Sequence, residues 1–66
     1  MDIRLNGAPR TFQSGCSVAQ LLADAGLHER RVAVEVNGEI VPRSRHASLV
    51  LHEGDQVEIV HALGGG

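Results

Sequence analysis

Three consecutive glycines, Gly64, Gly65 and Gly66, follow directly on a strand-like run from Gln56 to Leu63. Glycine lacks a Cβ, so such a tail is the thinnest peptide available and reaches φ/ψ regions closed to other residues. It is costly to order and adds nothing to a core. The chemistry it suits is that of a bare carboxyl end, threaded into another protein's active site and modified there. Leu63 to Gly66 span at most roughly 14 Å when extended, at about 3.5 Å per residue. That reach lets the folded body stay outside while Gly66 enters. Gly64 and Gly65 are the residues expected inside the tunnel, where a side chain would clash. The plain reading is a disordered end with no role. A phosphate-cradling loop is a poor alternative, because such loops precede a helix.

The other chemistry-bearing residues read as structural. Cys16 is the single cysteine, so neither an internal disulfide nor a thiolate zinc cluster can form. It has no basic neighbour in sequence to lower its pKa. His28, His46, His52 and His61 match no standard metal-ligand spacing and read as solvated. No metal site and no bound cofactor are expected. Glu53 and Asp55 flank Gly54, where a turn opening a strand explains them better than paired acid–base catalysis. Arg43 and Arg45 read as a solvated turn.

Sixty-six residues make one domain, and a chain of that length buries only about 60% of the surface its unfolded form exposes. The 42% apolar content still argues for a folded chain. Phe12 is the one aromatic residue, so the core must be aliphatic. The net charge of −2 gives no field for nucleic acid or an anionic membrane. All six basic residues are arginine, so no side-chain amine is available for isopeptide attachment. No apolar stretch approaches a transmembrane length, and the N-terminus has no signal-peptide pattern. These features lead to the expectation of a cytoplasmic protein.

Elements able to hold the tail are legible along the chain. Residues 2–5 form a short strand with Ile3 and Leu5 on one face. Asn6-Gly7 suits a type I′ hairpin, and residues 8–13 return with Phe12 as anchor. Within 14–27, Ser17 is the expected N-cap of a helix and Gln20 completes a capping box; Cys16 and Leu21 make a hydrophobic staple. Val18, Leu21, Leu22 and Ala25 form its apolar face. Gly26 and Leu27 fit a Schellman ending.

Residues 32–36 alternate as a strand, and Asn37-Gly38 turns it into Ile40-Val41, which Pro42 ends. Residues 43–48 read as a turn or 3₁₀ piece, and Leu49 and Leu51 return to the core. The last strand, 56–62, points Val57 and Ile59 inward and Glu58, Val60 and Ala62 outward. Val60, Ala62, Leu63 and Ala33 are the candidate partner-docking residues, because apolar groups on an open face stabilise a monomer little. The first and last strands can pair in parallel across the intervening crossover. The pattern is that of an α+β protein of the β-grasp, ubiquitin-like class: a mixed sheet of four to five strands on one helix. It spans residues 1–63, with 64–66 as a flexible tail.

The chain also resembles a known family. The segment Val36-Asn37-Gly38-Glu39-Ile40-Val41-Pro42-Arg43, the turn Glu53-Gly54-Asp55-Gln56-Val57, the compact size and the glycine ending are together similar to the ThiS family. These are ubiquitin-like sulfur carriers of thiamine biosynthesis. The triple glycine departs from the family's minimal pair and leaves the role of Gly64 open.

The resemblance implies a carrier rather than an enzyme. It implies an E1-like adenylating partner of the ThiF type, which uses ATP and magnesium to adenylate the carboxylate of Gly66. It further implies conversion to a thiocarboxylate, with sulfur from a cysteine desulfurase, and delivery to a ThiG-type thiazole synthase. That chemistry needs no side chain from the carrier: a mixed anhydride with AMP gives the carboxylate a leaving group, and a sulfur nucleophile displaces it. The rivals are the small subunit of molybdopterin synthase, whose members are longer and richer in aromatics, a conjugating modifier, and a plain binding module with an incidental tail.

Overall fold

The structure is a computed structural model that describes residues 1–28 and 30–61. Five strands make one mixed sheet: β1 Asp2–Leu5, β2 Ala8–Thr11, β3 Val32–Val36, β4 Glu39–Val41 and β5 Gln56–His61, in the order β2-β1-β5-β3-β4. β1 and β5 run parallel in the middle, and the remaining pairs are antiparallel. A parallel pair needs a long crossover. Here the intervening chain supplies it with a helix, α1 Val18–Asp24, and the β3–β4 hairpin. The architecture is the β-grasp arrangement that the sequence pattern indicated.

Both hairpins turn on Asn-Gly pairs with positive φ at each residue, 52° and 83° at Asn6-Gly7 and 53° and 85° at Asn37-Gly38. That is the type I′ requirement, and its twist matches that of the strands it joins. Consequently Val36 faces Glu39 and Val34 faces Val41, so the register of the second hairpin follows from two residues.

α1 has only seven residues and is held by its ends. The Gln20 N–H donates to the Ser17 Oγ at 3.1 Å, and the Ser17 N–H donates to the Gln20 Oε1 at 2.9 Å. The first two helical N–H groups go to a distant segment, Val18 to the Leu49 carbonyl at 3.0 Å and Ala19 to the His46 carbonyl at 2.8 Å. All the early donors that an isolated helix leaves open are thereby satisfied. At the other end Gly26 has φ 76°, and the Leu27 N–H donates to the Leu22 carbonyl at 2.7 Å. This is the Schellman bond. A helix so short is unstable alone in water; here Val18, Leu21 and Leu22 are buried in a core with Ile3, Leu5, Val34, Leu51, Val57 and Ile59.

β2 is shorter than the sequence indicates. It ends at Thr11, but the Phe12 backbone extends its pairing. The Phe12 N–H donates to the Met1 carbonyl and the Met1 amino group to the Phe12 carbonyl, both at 2.9 Å, while the Phe12 side chain is buried in the core. The 3₁₀ turn covers Arg43–Arg45 and the chain continues as a turn through Ser48, as the sequence indicates. β5 is described through His61, and residue 62 lies outside the described residues. Leu51 is buried as expected, whereas Leu49 is only half-buried at the core's edge.

Candidate functional site

The sheet has two unlike faces. One is covered by α1. On the other, strand pairing lines up the outward side chains of β4, β3 and β5. Ile40 stands opposite Glu35, Glu35 opposite Glu58, and Ala33 opposite Val60. Ile40 is 72% exposed and Val60 is 58% exposed, the two highest values among the large hydrophobic residues described. Ala33 and Glu58 are exposed as well, and Glu35 is half-buried. β5 carries this face as far as Val60 and ends at His61, from which the chain proceeds to residues 62–66.

Of the candidate docking residues, Val60 and Ala33 are therefore brought together as a cross-strand pair. Ala62 and Leu63 lie outside the described residues, as do Gly64, Gly65 and Gly66. Ile40 was missed by the sequence reading although its signal was present. Once Asn37-Gly38 fixes a two-residue turn, Ile40 must lie opposite Glu35 and share its outward face.

The side chains set aside on sequence grounds have structural work. Asp55 is a turn hub: its Oδ2 accepts from the His52 N–H at 2.8 Å and its Oδ1 from the Asn37 Nδ2 at 3.0 Å. The Asn37 Oδ1 in turn accepts from the Gln56 N–H at 2.9 Å. The Glu53 Oε1 accepts from the Asp2 N–H at 3.1 Å. Both carboxylates thus bind backbone and hold turns.

Cys16 is buried under the helix start, and its Sγ donates to the Ser17 carbonyl. Burial pushes this thiol above its usual range, and the nearby Asp24 charge adds to the rise. A thiol held protonated is a poor nucleophile. His28, His52 and His61 are exposed, but His46 corrects the solvated reading. It is half-buried, with its Nε2 3.1 Å from the Val41 carbonyl oxygen. No group of three or more His, Cys, Asp or Glu side chains among the described residues is placed to hold a metal ion. No helix among them is long and apolar enough to cross a membrane.

One polar side chain was not singled out by the sequence reading. The Asn6 Oδ1 accepts from the Ile59 N–H at 2.7 Å. β1 ends at Leu5, so this carboxamide prolongs the parallel ladder for β5 after the backbone of β1 has turned away. Nothing local distinguishes Asn6 from an ordinary turn asparagine, since its partner is far away in sequence.

The model of the ThiS family matches residues 3–66. The chain belongs to the ThiS family. It is 37% identical to the sulfur carrier protein ThiS of Bacillus subtilis, covering 97% of this chain and 98% of that one. Its structure is similar to the crystal structure of the thiamine biosynthesis protein ThiS from Geobacter metallireducens. The TM-score is 0.87 at 32% identity, with full coverage of both chains. It is also 44% identical over its whole length to the thiazole synthase of Paramagnetospirillum magneticum. Here the chain spans only 20% of the relative's length.

Proposed function

We propose that this chain carries sulfur for thiamine biosynthesis as a thiocarboxylate on the carboxyl group of Gly66. An E1-like enzyme of the ThiF type, using ATP and magnesium, adenylates that carboxylate. A sulfur nucleophile fed by a cysteine desulfurase then displaces AMP, and the thiocarboxylate donates its sulfur to a thiazole synthase. The chain itself binds neither the nucleotide nor the metal. The observation that carries this reading is the family match, which runs through the three glycines to residue 66. Two relatives named thiazole synthase that contain a region similar to the whole chain support the choice of receiver.

The fold supports the reading physically. A rigid body ends in β5, the central strand that pairs with both β1 and β3, so residues 62–66 leave from a fixed point. Residues 64–66 act as the tail and the body acts as the handle. Reaction at a carboxylate several residues beyond that point needs reach and thinness, which glycine supplies. The test is intact-mass analysis of the chain ending at Gly66. It is incubated with the adenylating enzyme, ATP, magnesium and a sulfur donor. Replacement of one carboxylate oxygen by sulfur is expected, and an unchanged mass overturns the proposal. Gly65→Val should block adenylation while leaving Tm within about 1 °C, since glycine has no side chain to contribute to a core.

A further inference from the structure

The outer face carries a feature that folding does not explain. Glu35 and Glu58 lie directly opposite each other on β3 and β5. Such partners have Cβ atoms about 5 Å apart, and like charges at that distance destabilise a sheet. Neither carboxylate has a hydrogen bond or an ion pair with any described residue. The one cation on the outward side of the neighbouring strand, Arg4, is turned away, its Nη1 donating to the Gly7 carbonyl at 3.1 Å. The acidic pair is moreover framed by the exposed apolar groups. Ile40 is across from Glu35, while Ala33 and Val60 occupy the next outward row.

A protein that covers Ile40 and Val60 must also remove water from the carboxylates between them. Two adjacent anions stripped of water without a counter-charge are too costly to bury. Any tight partner on this face therefore has to bring a cation to the Glu35–Glu58 pair. We propose that this face seats one arginine or lysine side chain, set among apolar residues, on the enzyme that receives residues 62–66. Arginine fits better, because its planar fork can serve two carboxylates at once. The occupant follows from position. β5 carries Glu58 and Val60 and then leads into the tail, so an enzyme holding Gly66 has this face beside its entrance. The repulsion tolerated in the free carrier is relieved on docking, which makes the pair a recognition device rather than a structural one. The inference rests on the carrier function proposed above.

The test uses the full chain and the adenylating enzyme, with Glu35→Gln, Glu58→Gln and the double variant. Removing the repulsion should leave Tm unchanged or raise it by about 1–4 °C. At the same time kcat/KM for adenylation of the double variant should fall about tenfold, and its dependence on ionic strength should flatten. A merely structural role would move stability and kcat/KM in the same direction. Unchanged kcat/KM and salt dependence in the double variant, with the wild type adenylated normally, would overturn the inference and leave the carrier function standing. A wild type that is not adenylated at all removes both. A dimer of the free chain that dissociates in the variants would assign the face to a second copy and also overturn the inference.

Discussion

The two faces of the sheet are built from the same strands and follow opposite rules. On the helix side, Ile3, Leu5, Val34, Val57 and Ile59 close on Val18, Leu21 and Leu51, all of them buried. On the open side, Ile40 and Val60 are exposed beside a pair of facing glutamates. In a domain of 66 residues each buried side chain is a large share of a small core. Leaving two β-branched apolar residues outside, next to repelling charges, is therefore poor use of the sheet for folding. The contrast teaches that one face holds the molecule together and the other is kept for a partner.

The comparison breaks most readily on the helix side. Leu21 is fully buried, and Leu21→Ala should cost about 3 kcal/mol, measured by urea unfolding. For so small a domain that removes much of the total stability. A sharper form uses one residue type on both faces. Val34 is 1% exposed and Val60 is 58% exposed. Val34→Ala should lose about 2 kcal/mol, whereas Val60→Ala should stay within about 0.5 kcal/mol. In an adenylation assay the second variant, and not stability, should register the loss through a raised KM. Equal destabilisation by the two valine substitutions would erase the distinction between the faces.

Ser17→Ala removes the helix cap and should cost about 1 kcal/mol, or roughly 4–8 °C in Tm, with no effect on partner binding at temperatures where the chain is folded. The smallest effect concerns Cys16, whose buried thiol sits above its ordinary pKa. Below the ordinary thiol value both folded and unfolded chains are protonated there, and pH has no influence through this group. Above it the unfolded chain loses its proton first, so stability should fall as pH rises until the folded thiol also titrates. Cys16→Ser should flatten that alkaline decline in a series of melts. Alkylation of native Cys16 should likewise be much slower than that of the urea-unfolded chain.

Much of this was legible before any coordinates. The capping box, the Schellman ending, both Asn-Gly hairpins and the inward alternation of β3 and β5 follow from neighbours a few residues apart. The end of β2 was placed two residues too late: the strand stops at Thr11, and only the Phe12 backbone carries the pairing further, against Met1, the first residue of the chain. His46 was misread as solvated because its partner, the Val41 carbonyl, becomes available only after Pro42 and the 3₁₀ turn fold the chain back. Ile40 was readable from hairpin register and was passed over.

By itself the sequence determined the local conformations, the apolar faces and the glycine ending, since backbone sterics, capping and side-chain periodicity act over one or two turns of chain. Tertiary structure alone decided that Glu35 meets Glu58, that Asn6 completes the edge of β5, and that Ala33 and Val60 share one open surface with Ile40. Those juxtapositions depend on the register between β1, β3 and β5. That register is fixed by the closing of a common core among segments remote in sequence, and no short stretch of residues encodes it.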